Sequence, residues 1–360
     1  MKYITEYRDK ELAKKLVADI AKEARPDRNY RLMVISRYGL EGILPKNVRM
    51  IHGPGCPVCV MPIGRIDSAI ELALEHGVIL CTYADTMRVP ASKGLSLMKA
   101  KAQGGDIRMI YSAADCLDIA RANPDKNVVF FAIGFETTTP ATAVVLKQAK
   151  AEGLKNFFVF CNHVLTPPAM RHILKNQEKV HIEGFVGPAH VSTIIGSEPY
   201  ETFAKDYSKP VVIAGFEPLD MLQSILMLIR QINRGEAEVE NEFTRAVRPE
   251  GNMKAIRMME EVFALRDSFE WRGLGSVPKS ALKLSDAYSD FDAEKHFNLV
   301  YRSVPDNKAC ECGAILRGEK QPSDCRAFGT VCTPESPIGS CMVSSEGACA
   351  AYFTYGRHKR

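Results

Sequence analysis

The chain has no apolar run long enough to cross a membrane. Its longest, such as Val128–Phe135, fall far short of the roughly 20 residues that a spanning helix needs. Net charge is also scarce, +4 over 360 residues, so nothing marks a basic face for nucleic acid. The opening MKYITEYRDKELAKK is charged and amphipathic and lacks the apolar centre of a secretory signal. Walker A, GxGxxG and nucleophile-elbow sequences are absent, which leaves nucleotide binding and acyl transfer without a specific motif. The CxxxCxxC run of radical enzymes that use S-adenosylmethionine is missing too. These absences predict a cytoplasmic protein that engages neither membrane nor nucleic acid.

What the chain does have is sulfur. Its eleven cysteines are an odd number, and the cytoplasm keeps thiols reduced, so they read as free, redox-active or metal-bound rather than as a disulfide framework. Two groups stand out. Cys312, Cys325, Cys332 and Cys349 are separated by 12, 6 and 16 residues within a segment rich in Cys, Gly, Pro and Ser. Such a segment buries little apolar surface unaided, so a metal staple makes physical sense there. Zinc knuckles close on CxxC pairs, which these four lack, while thiolates on longer loops suit an iron–sulfur cube. Spacing leaves cluster, zinc and unligated thiols open, with Cys310 and Cys341 as rival ligands.

The second group is HGPGCPVCVMP (52–62), where glycines and prolines fix the backbone around Cys56 and Cys59 ahead of a helix. A rigid CxxC near a helix N-terminus has thiols of lowered pKa that close reversibly to a disulfide. Half a zinc site, or a plain tight turn, is the bland alternative. Cys81, Cys116 and Cys161 fall in strand or helix patterns and read as small buried hydrophobes.

From about Leu32 to Phe216, short apolar runs alternate with helical stretches. Candidate strands are Val48–His52, Val78–Tyr83, Ile107–Tyr111, Val128–Ile133, Phe157–Phe160, Gly184–Val186 and Val211–Ala214. Most are apolar throughout rather than alternating, as parallel strands covered on both faces should be. The pattern predicts an α/β fold with doubly wound parallel sheets. A weak repeat divides the region: VVFFAIGFETTTPATA (128–143) and PVVIAGFEPLDMLQSI (210–225) each run strand, Gly-Phe-Glu, then helix. Glu136 and Glu217 then lie at the sheet edge where α/β proteins place ligands. The repeat predicts two related domains facing a cleft, divided near residue 155. Thr137, Thr138, His52 and the His190-Val191-Ser192 turn are further cleft candidates, and Phe160-Cys161-Asn162-His163 occupies a similar position. A lone His is more often structural, and Ser192 could simply cap a helix.

With both sulfur groups and both Gly-Phe-Glu turns in hand, the chain resembles the HypD family of [NiFe]-hydrogenase maturation proteins over nearly its whole length. The likeness rests on IHGPGCPVCVMPIGRID (51–67), MRVP (87–90), GFETTTPATA (134–143), GPAHVSTIIG (187–196), AGFEPLDMLQ (214–223), EWRGLG (270–275) and MVSSEGACAA (342–351). It implies an assembly scaffold, more than a turnover enzyme, on which iron receives the ligands of an Fe(CN)2CO group. The expected partners are a small HypC-type chaperone and a HypE-type cyanide donor. A [4Fe–4S] cluster is implied on Cys312, Cys325, Cys332 and Cys349, which sets aside Cys310 and Cys341. Cys56 and Cys59 become a dithiol exchanging electrons with that cluster, and Glu346 a member of the relay. The expected domains are 31–155 and 156–270, both α/β, with 1–30 and 271–360 forming a smaller, mainly helical and loop domain around the cluster. A stand-alone iron–sulfur oxidoreductase or lyase working in the cleft is the competing function.

One departure matters. The family carries Cys-Gly-Gly-His-Thr-His after the first strand, and its cysteine is held to ligate the iron under assembly. Here Arg31–Leu40 contains no such block between Met33 and Ile35, and no cysteine precedes Cys56. The expectation is a deletion that spares the cluster and impairs iron loading.

Overall fold

A computed structural model describes residues 8–34, 40, 42–176 and 181–355. Nine strands build two parallel sheets. They are β1 (Tyr30–Val34), β2 (Val48–His52), β3 (Ile79–Thr82), β4 (Ile107–Met109), β5 (Val128–Gly134), β6 (Phe157–His163), β7 (Gly184–Pro188), β8 (Val211–Ala214) and β9 (Val239–Asn241). The first sheet runs β2-β1-β7-β8-β9 and the second β4-β3-β5-β6. All seven residues of β5 and all seven of β6 are buried. Their unbroken apolar character is what helices on both faces demand, so the α/β expectation holds. Two antiparallel hairpin-like pairs follow: β10 (Phe263–Leu265) with β13 (Leu282–Leu284), and β11 (Ser268–Trp271) with β12 (Gly275–Pro278). Beyond them the described residues form short helices, among them Cys312–Leu316 and Ala348–Tyr355.

Strand pairing groups the chain differently from the division expected at residue 155. β6 lies beyond that point yet pairs with β5 along its whole length. β1 and β2 lie before it yet belong with β7, where Leu32, Met33 and Val34 sit opposite Gly184, Phe185 and Val186. The strands of the second sheet thus fall, in sequence, between β2 and β7 of the first. Helix Lys10–Glu23 packs on the first sheet's side, with Leu16 and Ile20 in one core with Ile225 and Ile229 of helix Pro218–Arg234. Leu16 and Ile20 lie four apart, one turn of the same helix face, and that stripe must be buried somewhere. The repeat is right in one respect: one Gly-Phe-Glu turn ends β5 and the other ends β8, one per sheet.

A buried charge network ties the second sheet to the C-terminal part. Arg65, 4% exposed on helix Ile63–Leu74, donates Nε to Asn162 Oδ1 at 2.5 Å and Nη2 to the Cys161 carbonyl at 2.9 Å. Its Nη1 reaches Glu294 at 2.6 Å, and Arg266 takes the other carboxylate oxygen. The guanidinium also lies 4.1 Å over the Phe160 ring. Burial alone would raise the Glu294 pKa, but the two arginines outweigh it and hold the carboxyl at about 2. Its contribution to stability is therefore complete above the ordinary value of 4.5 and drains away as pH falls towards 2. Glu294→Gln leaves a buried cation short of its partner and should cost about 3 kcal/mol in urea unfolding at pH 7. The deficit should shrink as the pH is lowered towards 2.

Candidate functional site

The CxxC lies in the loop between β2 and helix Ile63–Leu74. Gly53 N–H donates to the Val34 carbonyl at 3.0 Å, which fastens the loop's entry to the neighbouring strand. Cys59 N–H donates to the Cys56 carbonyl at 3.1 Å, closing a turn that brings the two Cα atoms to 5.2 Å. The cysteines are joined as a disulfide. Both are buried, Cys59 completely.

What buries them is the C-terminal segment. Ser340 Oγ donates to the Cys59 carbonyl at 2.6 Å. A Cβ added to Gly347 would stand 2.1 Å from the Cys341 carbonyl oxygen and 2.8 Å from Cys59 Sγ, so only glycine permits this approach. Cys56, Cys59, Cys312, Cys332, Cys341 and Cys349 share one apolar core, with Cys310 and Cys325 packed against it.

Within that core the thiols touch one another. Cys312 is coupled electrostatically to Cys310, Cys341 and Cys349, and Cys349 also feels Cys332. A side chain at Gly339 would strike the sulfurs of both Cys310 and Cys312. The neighbouring Cys310, then Cys341, with burial behind them, raise the Cys312 pKa, and Cys312 does the same to Cys349. Cys310 goes the other way, to about 7, chiefly through Cys312. These are free thiols gathered in one core, and ligation would have to release their protons. Among the described residues no group of three or more His, Cys, Asp or Glu stands in metal-holding geometry. Cys312 and Cys349 meet, Cys332 is in electrostatic reach, and Cys325 is half-buried beside them. Cys310 and Cys341, set aside by resemblance, stand inside the same set. Glu346 is exposed and precedes Gly347, the contact to Cys59.

The cleft candidates separate. Glu136 is 2% exposed, and its carboxylate accepts Thr166 N–H at 2.8 Å and Thr166 Oγ1–H at 3.0 Å. Burial, only partly offset by these donors, pushes its pKa up to about 7. Its charge is felt at the buried Tyr200 hydroxyl, so groups from both sheets come close here. Gly134 makes the turn possible: its φ is 155°, and a Cβ there would sit 1.7 Å from Thr138 Oγ1. Thr138 donates to the Phe135 carbonyl, and Thr137 is exposed.

Glu217 is unlike its counterpart. It is the residue before helix Pro218–Arg234, on the surface, where Arg8 binds both carboxylate oxygens at 2.7 and 3.0 Å and keeps the pKa low. His190 stacks on Phe216 with centroids 4.9 Å apart, and burial lowers its pKa to about 4, so it is neutral near pH 7. Ser192 donates to the Pro188 carbonyl inside helix Ala189–Ile195 and caps nothing. His163 is a core residue, bonded to Thr142 Oγ1 at 2.9 Å. His52 ends β2, half-buried, and Cys81, Cys116 and Cys161 are buried as expected.

Known proteins resemble this chain along its length. The sequence model of HypD, described as "Hydrogenase formation hypA family", matches residues 11–356. The chain belongs to the HypD family. The hydrogenase maturation factor HypD of Cupriavidus necator is 63% identical over 372 residues, covering 100% of this chain and 98% of that protein. The protein of the same name from Azotobacter vinelandii is 60% identical with the same coverage, and that of Escherichia coli K12 is 43% identical over 99% and 98%. Among the described residues no helix is long and apolar enough to cross a membrane. Sequence reading assigned no role to Thr166, Tyr200 or Arg272. Only Arg272 carried a signal, a charge beside the lone tryptophan in EWRGLG.

The raised pKa of Glu136 sets a pH dependence. Between pH 4.5 and 7 the folded carboxyl keeps a proton that the unfolded one has lost, so rising pH destabilises the fold. Glu136→Gln should remove this dependence. Relative to the wild type, it should gain roughly 3 kcal/mol between pH 4 and pH 8 in denaturant unfolding.

Proposed function

We propose that this chain is a maturation scaffold on which the iron group of [NiFe]-hydrogenases receives cyanide and carbon monoxide. A small HypC-type chaperone and a HypE-type cyanide donor are its partners. Family membership supports the reading, since the relatives named above are hydrogenase maturation factors matched over nearly their full length. The observation that carries it is the contact of Cys59 with Gly347 and Ser340, which brings the CxxC against the cysteine-rich segment. An electron store and a dithiol are useful to each other only at such range.

Cys312, Cys325, Cys332 and Cys349 are the residues we assign to a [4Fe–4S] cluster. The donor chemistry fits a thiophilic centre: the cysteine sulfurs gather in one core, and those of Cys310 and Cys312 both lie against the bare Gly339. When bound, such a cluster supplies electrons one at a time. Opening the Cys56–Cys59 disulfide consumes two electrons and two protons. We assign Glu346, exposed beside Gly347, to bringing those protons from solvent. In the cleft, neutral His190 and Glu136, poised near pH 7, are the groups we assign to holding the iron-bound ligands, with His52, Thr137 and Thr138 alongside.

The loss of the family's iron-ligating cysteine belongs to the same proposal. The position after β1 falls at residues 35–39 and 41, outside the described residues. The Cupriavidus comparison runs over 372 residues against 360 here, in keeping with a block this chain lacks.

Anaerobically purified protein should be brown with a cubane spectrum, and Cys332→Ala should lose it. A colourless, zinc-containing preparation would sink the cluster assignment. Expressed with the maturation machinery, the chain should copurify with a small chaperone but show weak cyanide and carbon monoxide infrared bands. Inserting the Cys-Gly-Gly-His-Thr-His block should strengthen those bands several-fold, and no gain would contradict the deletion reading.

A further inference from the structure

Arg272 opens the turn between β11 and β12 and is 3% exposed. Its backbone N–H donates to the carbonyl of Val60, one residue past Cys59, at 2.8 Å. On the side chain only Nε is engaged, by Asp306 Oδ1 at 2.5 Å. Both terminal nitrogens are buried without an acceptor. A guanidinium presents five donors in a fixed fork, and buried donors left without an acceptor are costly. A residue kept only to pair Asp306 could do so through the fork, at the surface, where Asp306 itself is 29% exposed.

The neighbours show what the free nitrogens are near. The charge of Arg272 is felt at the sulfurs of both Cys310 and Cys341, and the Cys310 sulfur lies with that of Cys312 against Gly339, where a Cβ would come within 2.3 and 2.6 Å of them. The turn is also clamped to the helix that carries Cys312. Gly273, at φ 80°, could bear no side chain, because a Cβ would come 2.6 Å from Gly313 Cα. Arg317 donates to the Gly273 carbonyl from the same region. One residue is thereby pinned to the CxxC loop through its backbone and held beside the C-terminal sulfurs through its side chain.

We propose that Arg272 is a positioning residue for the C-terminal sulfur centre, its two free nitrogens donating to anionic sulfur and its fixed cation raising the centre's reduction potential. The inference rests on the cluster reading given above. A centre held by four thiolates is anionic, and reduction adds charge, so a buried cation stabilises the reduced form more than the oxidised one. Asp306, on the far side of Nε, opposes this in part.

The test is an EPR-monitored redox titration of full-length protein purified without oxygen, comparing wild type with Arg272→Gln, Arg272→Lys and Asp306→Asn. Arg272→Gln should move the midpoint to more negative potential, with Arg272→Lys lying nearer the wild type. Asp306→Asn should move it to more positive potential. Shifts of opposite sign are not what a merely structural role produces. A cluster-bearing Arg272→Gln protein with an unchanged midpoint overturns the proposal. Should that variant fail to fold, Asp306→Asn decides, and an unchanged or more negative midpoint overturns it. A wild-type protein without any cluster defeats the underlying reading, and this one with it, and is recognised because the wild type itself shows it.

Discussion

The closure of the C-terminal segment over the Cys56–Cys59 loop is the contact on which the arrangement depends. Ser340 satisfies the Cys59 carbonyl, Gly347 lets Cys59 sulfur approach, and Arg272 satisfies the Val60 carbonyl from another direction. Loop carbonyls buried without such donors would be costly. The closing segment has only short helical turns of its own, and its burial comes from this docking. Both cysteine groups therefore belong to one core, and neither can be exposed without opening the other.

Charge is handled in two contrasting ways around that core. Arg65 is fully engaged by Asn162, Cys161 and Glu294, with Arg266 completing the pair, which is how a buried cation is normally made tolerable. Arg272, equally buried, is left with two donors unused. The first arrangement locks the helix after the CxxC to β6. The second leaves unused hydrogen-bonding capacity beside sulfur. The cleft follows a similar division: Glu136 is buried and near neutrality, while Glu217 is spent on a surface pair with Arg8.

The sheet class was legible because β5 and β6 are apolar without alternation, a local signal that survives in any context. Sheet membership was not, because parallel pairing joins residues far apart: β1 meets β7 about as readily as any other covered strand would, and nothing local in Leu32–Val34 names Gly184–Val186 as its partner. The Gly-Phe-Glu repeat located two sheet edges correctly yet suggested equal roles for glutamates that differ. Their difference comes from Thr166 and Arg8, residues remote in sequence. Among the cysteines, spacing kept Cys310 and Cys341 in contention, and they lie within the sulfur set. Resemblance had removed them.

The central claim is that the dithiol and the C-terminal sulfur centre form one electron-exchanging unit. The most direct test poises anaerobic protein over a range of potentials and counts alkylated Cys56 and Cys59 by mass spectrometry, in wild type and in Cys332→Ala. The account requires the pair to open in step with bleaching of the chromophore in the wild type and to be reduced far more slowly in the variant. Reduction at the same potential and rate in both proteins would contradict it.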